Sequence, residues 1–141
     1  MAFEKPLVIQ SFTAASDMSA ASQQFIFVKQ VQPSSGVDMQ CCPCTSTADF
    51  AIGVLQNNPE RGEQARVLML GISKVRVSST DIAAVTAAFL GVDATARAVV
   101  LTPGTSTVSY VLGRVLHYDA TDNDAALVTA AVNCINLNRA L

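Results

Sequence analysis

Charge is scarce in this sequence. Asp, Glu, Lys and Arg together make up 14% of its 141 residues, and the formal net charge is −2. A surface that reads nucleic-acid phosphates needs clustered Lys and Arg. Here the nine basic residues are scattered from Lys5 to Arg139, so no nucleic-acid partner is expected. Histidine is scarcer still. His117 is the only one; it lies in a strand-like run between Leu116 and Tyr118, and no serine sits in a G-x-S-x-G elbow. The glycines are dispersed and no G-K-[ST] occurs, which removes the phosphate-binding loop. Long apolar runs are missing too. The longest, near Ile82–Val92 and Ala96–Leu101, are too short to span a bilayer and are interrupted by Thr, Gly, Asp and Arg. The start, Met1-Ala-Phe-Glu-Lys-Pro-Leu, holds an acidic residue and no apolar core of signal-peptide length. The expectation is a chain made in a cytoplasm, with no membrane partner.

The four cysteines offer the one alternative chemistry. Cys41-Cys42-Pro43-Cys44 is dense, Cys134 lies far along the chain, and Cys41 and Cys44 have C-x-x-C spacing. Cys41, Cys44, Cys134 and His117 together match a zinc ligand count. The second paired motif of a zinc ribbon is absent. Pro43 and the following Thr-Ser-Thr read as a loop, whereas a redox pair needs a helix N-terminus. Free thiols are the expectation, with no metal and no cofactor. Asp119-Ala-Thr-Asp-Asn-Asp124 lacks the spacing and the downstream Glu of a calcium loop, and turn chemistry accounts for its acids. No catalytic constellation emerges, so an enzyme is not expected.

What the sequence does have is apolar content, 50% of its residues, arranged as short strands. Phe25–Val31, Val37–Cys41, Phe50–Gln56, Ala65–Ile72, Lys74–Val77, Ala96–Leu101, Val108–Tyr118 and Leu127–Ile135 carry β-branched and aromatic residues between turn signals. Pro33–Gly36, Asn57–Gly62 and Thr102–Ser106 are turns by composition. Ser79-Thr-Asp81 reads as the cap of a short helix over Ile82–Leu90. Met1–Thr13 reads as an extended arm, with Pro6 blocking helix entry. Residues 14–141 form the body. Two stretches within it echo each other, Phe50-Ala-Ile-Gly53 and Tyr110-Val-Leu-Gly113, which suggests two similar halves, about 25–77 and 85–137, rather than a solenoid. The fold expected is mainly β, a barrel or sandwich with at most one or two short helices. Low charge with high apolar content fits either a well-filled core or a surface buried against partners.

The order of several short motifs carries a resemblance across nearly the whole chain. Met1-Ala-Phe-Glu-Lys-Pro-Leu-Val-Ile-Gln-Ser-Phe-Thr-Ala, then Ala51-Ile-Gly-Val-Leu-Gln-Asn-Asn-Pro59 with Gly62-Glu-Gln-Ala65, then Gly71-Ile-Ser-Lys-Val75 and Tyr110-Val-Leu-Gly-Arg114 resemble the capsid decoration (cement) proteins of tailed bacteriophages. The Cys41–Cys44 cluster and the Ala-rich Ile82–Phe89 segment are not part of that pattern. The resemblance implies a compact β barrel-like or β-tulip domain with an extended N-terminal arm. It implies a non-enzymatic virion protein, similar in role to the phage lambda head decoration protein. Such a protein forms a homotrimer at three-fold positions on the outer surface of the capsid and clamps the major capsid protein against the pressure of packaged DNA. The arm residues Phe3, Pro6, Leu7, Ile9 and Phe12 are the capsid-interface candidates, since an extended segment adds a strand to a partner's sheet edge. Ordering it costs roughly 1–2 kcal/mol per residue, so the arm is expected to stay loose until bound. Asn57, Asn58 and Pro59 either satisfy their turn or contact a neighbour. The alternatives are another virion part (a head–tail or tail-tube component) and a Cys/His metal-binding module.

Overall fold

The computed structural model describes residues 5–32, 39–78, 89–102, 104–106, 109–118, 127–135 and 138–139. Alternation of apolar and polar residues puts most of them into strands. In chain order these are β1 (Lys5–Ala14), β2 (Phe27–Val31), β3 (Gln40–Pro43), β4 (Ala51–Leu55), β5 (Gln64–Arg76), β6 (Phe89–Val92), β7 (Ala98–Val100), β8 (Tyr110–Val111), β9 (Gly113–His117), β10 (Leu127–Asn133) and β11 (Asn138–Arg139). A single 3-10 turn, Ala21–Gln23, lies between β1 and β2. Among the described residues no helix is long and apolar enough to cross a membrane.

Nine strands form one sheet in the order β1-β3-β2-β4-β5-β10-β9-β6-β7, and β1 also pairs with β5. That extra pairing closes the first five strands into a ring. The β1–β3 contact is parallel and the other named pairings of the sheet are antiparallel. The remaining strands, β10, β9, β6 and β7, extend from the ring as an open wing. β8 and β11 make a separate two-stranded ribbon. The molecule is therefore a compact, mainly β domain.

β5 joins ring to wing. Burial alternates towards both ends of its thirteen residues, with Ala65 and Val67 inward at one end and Val75, and Val77 just beyond the strand, inward at the other; between them Val67 and Leu68 are both buried. A period of two commits one face of each stretch to the core. Phe12, Met18, Ile26, Phe27, Val54, Leu55 and Leu68 fill the ring side, and Leu90, Leu112, Val115, Val128 and Val132 continue the same apolar cluster under the wing. Each fully buried large side chain contributes about 1.5–3 kcal/mol relative to exposure.

Three sequence expectations change. The segment read as a loose arm is β1, laid antiparallel on β5 from Lys5 opposite Ile72 to Thr13 opposite Gln64. Phe12 and Ala14 of this strand are core residues, 7% and 1% exposed. The ladder and these two anchors offset the entropy of ordering the strand within its own chain. The helix read over Ile82–Leu90 lies mostly outside the described residues, but its last two positions, Phe89 and Leu90, begin β6, where Leu90 is fully buried opposite Val100. Tertiary pairing overrides a short helical period there. The long strand Val108–Tyr118 is broken at Leu112 into β8 and β9, which belong to different sheets.

Candidate interaction surface

The chemistry-bearing side chains are dispersed. Cys41, Cys44 and Cys134 are buried and Cys42 is half-buried, all as free thiols. Burial pushes Cys41 and Cys134 up to about 12, and pushes Cys44 and Cys42 up as well. Raised thiols are poor nucleophiles and poor metal ligands, because both roles need the thiolate. His117 stands exposed on β9 opposite Thr129. Among the described residues no group of three or more His, Cys, Asp or Glu is placed to hold a metal. The segment Asp119–Asp124 lies outside the described residues.

The loop after the cysteines is organised by one carboxylate. Asp49 Oδ2 accepts the Thr45 N–H at 2.7 Å, the Ser46 N–H at 2.9 Å and the Lys29 ammonium at 2.9 Å. Burial works against this carboxylate, yet the bonds from Thr45, Lys29 and Ser46 outweigh it and hold Asp49 below its ordinary value. The same bond to Asp49 holds Lys29 above its own. The arrangement closes a turn.

The interface candidates of β1 divide by side. Leu7 is 68% exposed and Val8 is 37% exposed, Ile9 is half-buried, and Phe12 is in the core. Pro6 and Ile9 line a cleft of about 240 Å³ with Gln24, Phe25, Gln56, Arg66 and Leu68. Phe25 holds a left-handed backbone, φ 65°. Its N–H donates to Leu55 and its carbonyl accepts from Arg76, and the Lys74 ammonium lies 5.7 Å from its ring centre. Phe3 lies outside the described residues.

The turn candidates face inward. Asn57 spans the β4–β5 connection, donating to the Gln64 carbonyl at 2.8 Å and accepting the Arg66 N–H at 2.9 Å. Asn58 donates to the Ala20 carbonyl at 2.8 Å. Pro59 is buried, and its carbonyl accepts the Met18 N–H. Asn57 thus ties the 57–63 turn to the start of β5, and Asn58 ties it to the segment after β1.

The two echoing motifs are brought together in space. The rings of Phe50 and Tyr110 meet edge to face with centres 5.0 Å apart. Gly53 and Gly113 each lie against the backbone carbonyl of the next strand along the chain, Leu68 on β5 and Ala131 on β10. A Cβ at either position would overlap that oxygen, so both strands need glycine for close approach. Sequence reading missed Val8, Phe89 and Leu116 as exposed apolar residues, 37%, 52% and 40% accessible. For Leu116 the signal was the alternation Arg114-Val115-Leu116, whose outward members became visible only once β9 had a face.

No protein-family model matches this chain, and no curated protein matches it. Among solved structures, it is similar to the head fiber gp8.5 N base of bacteriophage phi29. The likeness covers 94% of this chain and 98% of that one, with a TM-score of 0.54 and 16% sequence identity. At that identity the likeness establishes a shared fold.

Proposed function

We propose that this chain is a non-enzymatic structural protein of a tailed-phage virion, seated on the outside of the head. The observation that carries the reading is the fold shared almost end to end with the base of a phage head fiber. The motif order from Met1 to Arg114 points to the same class of assembly. In this reading the chain acts by adhesion. It joins others as a homotrimer at three-fold positions, and grips the major capsid protein through side chains that β1 leaves outside, with Leu7 the most exposed of its large apolar residues. Affinity then comes from apolar contact and from avidity, since the second and third subunits of a trimer bind intramolecularly.

A second reading is favoured by the printed identity of the neighbour: a base domain that fixes a longer fiber to the head. Cryo-electron microscopy of virions carrying the chain separates the two. A low cap at three-fold positions supports decoration, and a stem rising from the density supports a fiber base. Density confined to the tail or connector refutes both. Leu7→Glu, which leaves the core residues of β1 in place, is expected to weaken binding to expanded heads at least tenfold.

A further inference from the structure

A left-handed backbone is rare for a bulky side chain and persists only where its surroundings fix it. At Phe25 they do. Its N–H and carbonyl are bonded to Leu55 and Arg76, and the Arg76 guanidinium holds the Gln24 carbonyl at 3.3 Å. Ile26 and Phe27, the next residues, are core, while the Phe25 ring stays half-buried and lines the cleft beside the β1–β5 ladder. Ile9 and Leu68 stand opposite each other in register and give that cleft an aliphatic side. Arg66 shares their face, since side chains repeat every second residue along β5. The polar groups of the cleft are unevenly used. Gln24 Nε2 donates to the Gln56 carbonyl at 2.9 Å, and Gln56 Nε2 donates to Ser73 Oγ at 3.0 Å. These bonds fix both carboxamides, yet Gln24 Oε1 accepts nothing among the described residues and is reached by solvent. The exposed Arg66 guanidinium has no hydrogen bond or ion pair among the described residues. No acidic residue is among those that line the cleft, and the Lys74 ammonium beside Phe25 adds a second cation.

We infer that this cleft captures the C-terminal end of a different polypeptide whose last residue is apolar. The α-carboxylate of that residue pairs with the Arg66 guanidinium, whose fork of donors matches a carboxylate. Its backbone N–H donates to Gln24 Oε1, and its side chain rests against Phe25, Ile9 and Leu68. Capture of a chain end by its carboxylate is a recurring mode of peptide recognition. The cleft volume, about 240 Å³, suits one residue rather than a drug-sized ligand, whose pockets run to about 300–1,000 Å³. An acidic sugar carries the same charge, but its hydroxyls would lose water against the aliphatic side without gaining partners there. The inference stands apart from the virion reading, because it concerns a peptide site on the free protein.

NMR titration of the isotope-labelled protein with the peptide acetyl-Ala-Ala-Leu, carrying a free carboxylate, tests it. Saturable shifts are expected at the side-chain amide of Gln24 and the backbone amides of Phe25 and Leu68, with a dissociation constant of about 1 mM or below. The same peptide with an amidated end, and acetyl-Ala-Ala-Gly, should each bind at least tenfold more weakly. Arg66→Gln, which leaves the backbone bonds of Arg66 in place, should weaken binding at least tenfold, and Arg66→Lys should restore part of it. Phe25→Asn, a residue suited to the left-handed backbone, should keep a cooperative melt and still weaken binding at least tenfold. No saturation by about 10 mM peptide, equal binding of acid and amide, or normal binding by Arg66→Gln would each overturn the inference. Glucuronate that shifts the same amides at lower concentration than the peptide would assign the cleft to acidic sugars and overturn it too. Loss of head binding by a chain that still binds the peptide counts against the function proposed above and leaves this site standing.

Discussion

Raising the pH should unfold this protein through its buried thiols. Cys41 and Cys134 are held neutral up to about 12 by burial, against an ordinary 9.0. The folded state therefore keeps at least these two protons, which the unfolded chain gives up; Cys44 and Cys42, also raised, add to the effect. Their contribution is fully present below pH 9 and is lost as the pH climbs from 9 towards 12. Each pH unit costs about 1.4 kcal/mol per thiol, so the pair removes about 3 kcal/mol per unit and roughly 8 kcal/mol by pH 12. That is comparable with the whole stability of an ordinary domain, about 5–15 kcal/mol. Urea titrations at steps between pH 7 and 11, under reductant, measure the slope. Lys and Tyr also titrate there, so the informative comparison is with Cys134→Ala. That variant gives up about 1 kcal/mol at neutral pH for its small void. Above pH 9 its stability should fall less steeply than the parent's, by about 1.4 kcal/mol per unit. Parallel slopes for variant and parent would refute the account.

Other expectations follow from the fold. Gly53→Ala drives a methyl into the Leu68 carbonyl and to 2.6 Å from a Val67 methyl; thermal or urea unfolding should show a loss of about 3 kcal/mol or more, with Gly113→Ala similar. Asn57→Ala strips partners from the Gln64 carbonyl and the Arg66 N–H, so the free protein should lose about 1–2 kcal/mol by urea titration; unchanged stability would return this side chain to the list of contact residues. Deleting residues 1–12 removes most of the strand that closes the ring, so the truncated chain should lose its cooperative melt rather than merely its binding; a normal melt would show that β1 is dispensable.

The strands were legible because their signal is local. The residues from Phe25 to Val31 and from Phe50 to Gln56, and the run after Ala65, carry their β-branched, alternating pattern within a few positions, and they became β2, β4 and β5 nearly in place. Pairing was not legible. Nothing within Lys5–Ala14 says whether its partner is its own β5 or another molecule, since an edge strand presents the same backbone groups to either. The same limit applied to Asn58, whose partner at Ala20 lies well away in sequence. Lys5, Ile72, Ala131, Arg114 and Phe89 come from five separate strands, and only register puts them in one row.

The ring has a consequence for synthesis. β1 leaves the ribosome before β5, and every partner it has on β5 lies more than fifty residues downstream. Until that stretch is translated, β1 travels without its β5 partner and with Leu7 and Val8 available to any neighbour, including the same segment of the next nascent chain on a polysome. Crowded expression is thus the setting in which this protein is most exposed to mispairing, and a holdase or slower elongation should raise its soluble yield more than lowering the temperature of the finished product.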